Sequence, residues 1–277
     1  MIIGISGKIG SGKDTVGRII EYLTCPVMGI QVEMKDWVYK PDYSNFQPNW
    51  QIVKFADALK DVICILTGCT REQLEDENFK NNKLPDEWIR YGYADGFFKY
   101  YKNGKEETKM NNVQCDKERY ELEYKTNWET SYKVHPTYRE LLQYIGTDLL
   151  RNQLHENVWV NALFNNYKCI GNYEFSEMYL KEHPNSNPTE PIYPNWIITD
   201  VRFPNEAKAI KDMGGIIVRV NRINSTPQTI YVNKQNSTHP SETALDTYEF
   251  DYVIDNNDTL ENLISKVEYI LKKESII

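Results

Sequence analysis

The sequence predicts an α/β fold, a parallel sheet of about five strands with helices on both faces. Three observations carry this reading. Short apolar runs alternate with amphipathic helical patterns along the chain. Several of the runs, Trp196-Ile197-Ile198 and Ile216-Ile217-Val218 among them, are apolar at every position rather than every second one, as in strands covered on both faces. The first run, Met1-Ile2-Ile3-Gly4-Ile5, leads directly into the glycine-rich GKIGSGKDT of residues 7–15. That strand–loop–helix order is the local signature of a phosphate-binding loop.

Taken in order, the first strand ends at the loop and a helix follows from Lys13 to Leu23, with Val16, Ile19, Ile20 and Leu23 at helical spacing. Residues 24–50 read as irregular, punctuated by Pro26, Gly29, Pro41 and Pro48. Gln51 to Phe55 is a short strand leading into a helix from Ala56 that stops near Gly68. Residues 70–136 are charged and aromatic with no long apolar helix, and read as an insertion on the main fold. Within them, Phe97 to Tyr101 followed by Asn103-Gly104 predicts a hairpin. Trp88, Tyr91, Tyr93, Phe97 and Phe98 are expected mostly to form a small satellite core.

Helical spacing returns from Thr137, through Leu141, Leu142, Ile145, Leu149 and Leu150, and again over Val158 to Phe164. Residues 171–195 read as loop because of Pro184, Pro188, Pro191 and Pro194. Trp196 to Asp200 is a buried strand ending in a carboxylate. A helix from Pro204 to Met213 has proline in its first turn and Gly214-Gly215 at its stop. Ile216 to Val220 and Tyr252 to Ile254 are further strands, and Thr259 to Lys273 is a last helix. The chain thus reads as one domain over 1–277, with the insertion near 70–136 and a polar segment near 221–243 suited to a mobile lid.

The loop carries the chemistry. Gly7, Gly10 and Gly12 allow tight turning and close approach of backbone N–H groups to an anion. Lys8, Ser11 and Thr15 belong to the same cradle, and Lys13 brings a point charge to the β- and γ-phosphates of a nucleotide. The helix beginning here adds the positive end of its dipole. Asp14 stands where a Ser or Thr usually helps hold magnesium, and Thr15 follows it.

Ligands of parallel sheets lie at the carboxyl ends of the strands. The loop after Ile5, Asp57 after Phe55, Asp200 and Arg202, and Arg222 after Val220 are therefore expected to face one crevice. Asp200 there can hold magnesium, and Arg202 offers a planar fork to a phosphate. The competing reading makes Asp200 a cap for the helix near Pro204. Arg222 would enter with the lid. Arg219 is equally well explained as an ordinary strand residue, and His239 as part of a helix start. Arg139 and Arg151 are candidates for an acceptor phosphate, or else surface ion-pair partners. Asp57 and Lys60 share the first turns of the second helix and would face the acceptor, or Asp57 would serve the helix dipole.

Composition excludes several classes. The 277-residue chain carries mixed charge with a net −8, so no generic nucleic-acid surface is expected. Its five cysteines show no zinc or redox spacing and fit a reducing cytosol. No apolar run approaches membrane-spanning length, and the N-terminus reads as a strand rather than a leader, which argues for a protein retained in the cell.

These motifs resemble one family, the deoxynucleoside monophosphate kinases of tailed bacteriophages. The matching segments are SGKIGSGKDT at 6–15, FADALK at 55–60, YRELLQYIGTDLLRNQ at 138–153, ITDVRFPNEAKAI at 198–210 and STHPSETAL at 237–245. The Lys13-Asp14-Thr15 departure is itself similar to that family's loop. The resemblance covers both ends of the chain but not residues 24–50 and 80–136. It implies a P-loop nucleoside monophosphate kinase fold, ATP with Mg2+ as donor, a deoxynucleoside 5′-monophosphate as acceptor, and a homodimer. For such a transfer Lys13, Arg139, Arg202 and Arg222 are expected to be catalytic, Asp57, Lys60, Arg139, Arg151 and Arg202 to contact the acceptor, and Asp14, Thr15 and Asp200 to hold the metal. The donor loop alone leaves open a different small-molecule acceptor, as in kinases of phosphomevalonate or dephospho-coenzyme A. It also leaves open a nucleotide-binding regulatory or packaging protein without transferase activity.

Overall fold

The structure is a computed structural model. It describes residues 1–25, 33–39, 48–92, 97–102, 105–110, 113–114, 132–183, 187–222 and 243–277. In chain order the elements begin with β1 (Ile2–Ser6), α1 (Lys13–Leu23), α2 (Met34–Tyr39), β2 (Trp50–Val53), α3 (Ala56–Thr67), α4 (Arg71–Glu75) and α5 (Glu77–Lys80). Next come β3 (Arg90–Gly92), β4 (Phe97–Lys102), β5 (Lys105–Met110), β6 (Val113–Gln114), β7 (Tyr132–Val134) and α6 (Tyr138–Gln143), which passes into a π-helical stretch, Tyr144–Leu154. The remainder is α7 (Val158–Phe164), β8 (Gly171–Glu174), α8 (Glu177–Glu182), β9 (Thr189–Ile192), β10 (Asn195–Val201), α9 (Pro204–Asp212), β11 (Ile216–Asn221), β12 (Tyr252–Asp255) and α10 (Leu260–Lys273). Two compact units result: Met1–Ala58 with His155–Ile277, and Leu59–Leu154.

The first unit is built on a five-stranded sheet in the order β12-β11-β1-β10-β2, parallel at every pairing. The three central strands are buried along nearly their whole length, which is why they read as continuous apolar runs. The edge strands β2 and β12 are only partly buried. Alternation along β1 assigns its two faces. Ile3 and Ile5 join a core with Val16, Ile19 and Ile20 of α1 and Leu263, Val267 and Ile270 of α10. On the other face, a Cβ at Gly4 would lie 2.7 Å from Ile210 of α9. Helices therefore cover both faces, as the apolar runs require. Because all strands point one way, the loops after β1, β2, β10 and β11 share one edge of the sheet.

Two segments differ from the sequence reading. Residues 171–195 contain an antiparallel pair, β8 with β9, flanking α8. Its signal is weak because every residue of both strands is exposed, so no apolar face marks it, and Pro191 sits in a two-stranded ribbon where one missing N–H is tolerated. An aromatic row holds the segment instead: Phe175 stacks on Tyr179 at 4.6 Å and Tyr179 on His183 at 4.3 Å. The irregular stretch 24–50 contains the short helix α2, whose Trp37 and Val38 are buried; two buried residues in six cannot establish a period.

The second unit holds an antiparallel sheet in the order β6-β5-β4-β3-β7. β4 and β5 pair with Lys102 opposite Lys105, the register an Asn103-Gly104 turn demands, although the two turn residues lie outside the described residues. Its apolar cluster gathers Ile63, Leu74, Leu84, Tyr138, Leu141 and Ile145, with Trp88 packed against it. That is the satellite core expected for Trp88; the side chains of Tyr91, Phe97 and Phe98, and all of Tyr93, lie outside the described residues. Among the described residues, no helix is long and apolar enough to cross a membrane.

Candidate active site

The loop between β1 and α1 turns through two left-handed glycines, Gly10 at φ 78° and Gly12 at φ 92°. Ser11 N–H donates to the Lys8 carbonyl at 3.1 Å, closing the turn, and Val16 N–H donates to Gly12 at 2.9 Å, starting the helix. Gly12 is the N-cap of α1 and provides no side-chain cap, so the first-turn N–H groups keep their capacity for an external acceptor. Ser11 is 3% exposed, and its hydroxyl has no hydrogen-bond partner among the described residues. A buried hydroxyl without a partner is costly, and a phosphate oxygen would satisfy it. The uncapped helix start, the orphaned hydroxyl and Lys13 in the first turn together fit a bound phosphate chain.

Asn256, which sequence reasoning missed, holds this loop from the far side. Its Nδ2 donates to the Ser11 carbonyl at 2.9 Å, and its backbone N–H donates to Asn221 at 2.7 Å. A Cβ at Gly12 would lie 2.4 Å from that same Nδ2. Asn256 follows β12, so the strand-end rule applied to the Asp255-Asn256-Asn257-Asp258 run would have flagged it.

α1 approaches β10 closely because residue 17 is glycine: a Cβ there would lie 2.6 Å from Thr199 Cγ2. This proximity lets the Thr199 hydroxyl donate to Asp14 Oδ1 at 3.0 Å. The same oxygen lies 2.9 Å from Lys54 Nζ, and Asp14 Oδ2 lies 3.8 Å from Lys13 Nζ. Burial raises the Asp14 pKa, but the charges of Lys13 and Lys54 and the hydrogen bonds from Lys54 and Thr199 outweigh it, so its carboxyl sits below the ordinary range. Its side chain remains 57% exposed, so solvent screening weakens these attractions. Thr15 occupies the next position of α1, half-buried.

Asp200, 8% exposed, uses both oxygens on the start of α3. Oδ1 accepts from Phe55 N–H and Oδ2 from Ala56 N–H, each at 2.9 Å. Burial pushes its pKa up, against those two bonds and the charges of Arg202 and Lys54. The carboxylate caps a helix, but it is α3 across the sheet rather than the one near Pro204. That role belongs to Glu206, whose Oε2 accepts from Arg202 N–H at 2.8 Å and Phe203 N–H at 3.0 Å. Asp57 turns back to accept from Lys54 N–H at 3.0 Å. Arg202 is partly buried beside Asp200.

At the β11 end, Arg219 is bound internally. It donates to Ser6 Oγ at 3.1 Å and Asn221 Oδ1 at 3.3 Å, pairs with Asp246 at 3.3 Å, and lies 5.4 Å over the Phe250 ring. Asp246 also pairs with Lys8 of the loop at 3.2 Å. Arg222 is exposed. Residues 223–242, most of the segment expected to form a lid, lie outside the described residues, and His239 lies among them.

Lys60, Arg139 and Arg151 belong to the second unit. Lys60 is buried and pairs with Glu75. Arg139, in the first turn of α6, pairs with Glu77 and donates to Asn81 Oδ1 at 2.9 Å. Arg151 lies in the π-helical stretch with one guanidinium nitrogen buried; such stretches recur at functional sites. No cluster of three or more potential metal-ligating side chains occurs among the described residues. Magnesium in phosphoryl-transfer sites needs only one or two carboxylates beside the phosphates, so this donor set fits it.

The family model for deoxynucleotide monophosphate kinase matches residues 92–267. A protein of Acanthamoeba polyphaga mimivirus, provisionally named a deoxynucleotide monophosphate kinase, is 33% identical over 132 residues, which cover 47% of this chain and 59% of that protein. The deoxynucleoside-5′-monophosphate kinase of Escherichia phage T5 is 24% identical over 88% of this chain and 85% of its own length. The deoxynucleotide monophosphate kinase of Enterobacteria phage T4 is 31% identical over 48% of this chain and 45% of its own. The alignments to the mimivirus and T4 proteins thus span about half of those relatives. With the family match running over more than half of its residues, and a phosphate-binding loop in place before it, this chain belongs to the deoxynucleotide monophosphate kinase family.

Proposed function

We propose that this protein transfers the γ-phosphoryl group of ATP to the 5′-phosphate of a deoxynucleoside monophosphate, giving two diphosphates. The observation that carries the reading is the loop of residues 7–15, with its uncapped helix start and the unsatisfied Ser11 hydroxyl. The acceptor class rests on the family and on what its phage members are named for.

An acceptor phosphate is already a competent nucleophile at neutral pH, so the protein needs no strong base. Its work is alignment and charge neutralisation. The backbone N–H groups of Gly7 to Lys13 would hold the donor phosphates, and Lys13 would reach toward the γ-group. Thr15, Asp14 and Asp200 would hold magnesium, which when bound would supply charge neutralisation to the phosphates. Two hydrogen bonds from the start of α3 fix the Asp200 carboxylate in place for that role. Arg202 would take the transferring group, with Arg139, Arg151, Asp57 and Lys60 serving the acceptor and Arg222 arriving with the lid. The expected assembly is a homodimer, and the expected compartment is the cytoplasm, that of the host if the source is a virus.

A coupled ADP-release assay with ATP and each of the four deoxynucleoside monophosphates tests the reading. Release that requires one or more acceptors supports it. Equal release without any acceptor refutes it in favour of simple nucleotide hydrolysis, and no release refutes it in favour of binding alone.

A further inference from the structure

We propose that Lys54 is a second phosphate-neutralising cation of the donor site, held beside the loop by Asp14 until a nucleotide arrives. The inference rests on the reading that the loop binds a nucleoside triphosphate, and it assigns a role to a residue that the sequence motifs do not single out.

The backbone at Lys54 is fixed with unusual thoroughness. It is the first residue past β2, and the pairing of Val53 with Ile198 sets it level with Thr199 of β10. Its N–H donates to Asp57 Oδ2 at 3.0 Å, and its carbonyl accepts from Asp57 N–H at 3.2 Å. The next two N–H groups, of Phe55 and Ala56, are both taken by Asp200. Three successive N–H groups are thus bound by two carboxylates, which makes the root of the Lys54 side chain rigid.

From that root the ammonium reaches the loop. Lys54 has a side chain only 27% exposed, and its Nζ lies 2.9 Å from Asp14 Oδ1, the oxygen that also accepts the Thr199 hydroxyl. Lys13 approaches the other oxygen at 3.8 Å. Asp14 is therefore bracketed by two ammonium groups at the N-terminal turn of α1, the end of the helix that attracts anions. The Lys54 charge also bears on the buried Asp200, so this ammonium stands between the carboxylate near the end of β10 and the first turn of α1, within reach of an anion seated in the loop. Lysine suits the task because its compact, mobile charge can move from carboxylate to phosphate without a fixed fork geometry. Because Asp14 is 57% exposed, the ion pair itself contributes little to stability.

The experiment compares wild type, Lys54→Met and Lys54→Arg by calorimetric binding of ATP and of adenosine, by acceptor-dependent turnover and by thermal melting. The proposal predicts that Lys54→Met melts within about 2 °C of wild type, loses roughly tenfold or more in ATP affinity or kcat, and binds adenosine unchanged. Lys54→Arg, which keeps the charge, should recover part of the loss. Unchanged ATP binding and turnover in Lys54→Met overturn the proposal, as does an equal loss for ATP and adenosine, which marks a structural role. If Lys54→Met does not fold, Lys54→Gln is measured in its place under the same criteria. If wild type itself binds no ATP, the donor-site reading falls and this proposal falls with it; a wild type that turns over beside an equally active Lys54→Met removes the proposal alone.

Discussion

Replacing Gly12 by alanine tests whether the loop's shape is what binds nucleotide. The substitution has two costs that the structure separates. The first is conformational: φ at Gly12 is 92°, and an L-residue in left-handed backbone costs roughly 1–2 kcal/mol. The second is steric, since the new Cβ would sit 2.4 Å from Asn256 Nδ2. That contact must open, and the hydrogen bond from Asn256 to the Ser11 carbonyl goes with it, for about 1 kcal/mol more. Gly214 supplies the control: its φ is 73°, and a Cβ there meets no described residue within 4 Å. Gly214→Ala thus pays only the first cost. At roughly 2–4 °C per kcal/mol for a chain of this size, Gly12→Ala should melt about 4–12 °C below wild type and Gly214→Ala about 2–8 °C below it. The sharper difference is in ligand binding. Calorimetric titration with ADP should show Gly12→Ala weakened by tenfold or more and Gly214→Ala unchanged, because only the former disturbs the loop. Equal ADP affinity in both variants would refute the argument that this turn, braced by Asn256, shapes the phosphate cradle.

Asp200→Asn should destabilise the protein by about 2–3 kcal/mol in urea unfolding, because the amide nitrogen faces an N–H where an oxygen accepted before; a midpoint equal to wild type would show that the α3 cap is dispensable. Arg139→Ala should raise the KM for the deoxynucleotide by about tenfold while leaving that for ATP unchanged, and no change in either would return Arg139 to its ion pair with Glu77 and nothing more. Glu77 carries a pH prediction. Burial raises its pKa, but hydrogen bonds and charges from Lys80 and Arg139 prevail and hold it below the ordinary glutamate value. Its stabilising contribution is then present above that ordinary value of about 4.3 and is lost as pH falls through the lowered one. Glu77→Gln should flatten the decline in melting temperature on the acid side of pH 4, and an unaltered acid limb would contradict the assignment.

The parallel sheet was legible because β1, β10 and β11 are covered on both faces and so read as unbroken apolar runs. The bounds of α1 and α9 were legible because a glycine-rich loop opens one, and Pro204 and Gly214 bracket the other. The ribbon β8–β9 was not, since exposed strands have no hydrophobic alternation to betray them. Within the site, the loop residues announce themselves by spacing along the chain. Lys54, Thr199 and Asn256 do not, because their partners are distant in sequence: Asn256 grips a carbonyl 245 positions away and Thr199 a carboxylate 185 positions away. A strand-end rule points to the neighbourhood of such residues, but only the fold shows which side chain turns toward which. Asp200 illustrates the limit from the other side. Its place at the end of a buried run was evident, while its bonds to Phe55 and Ala56 depend on β2 lying next to β10, a strand order no local pattern encodes.

The central claim is that phosphoryl transfer runs from a loop-bound triphosphate to a second nucleotide, and 31P NMR of one reaction mixture tests it most directly. With ATP, magnesium and a deoxynucleoside monophosphate, the account predicts that ADP and a deoxynucleoside diphosphate rise together in equal amounts, with inorganic phosphate flat, and that Lys13→Ala abolishes both. ADP appearing alongside inorganic phosphate, with the monophosphate signal undiminished, would contradict it.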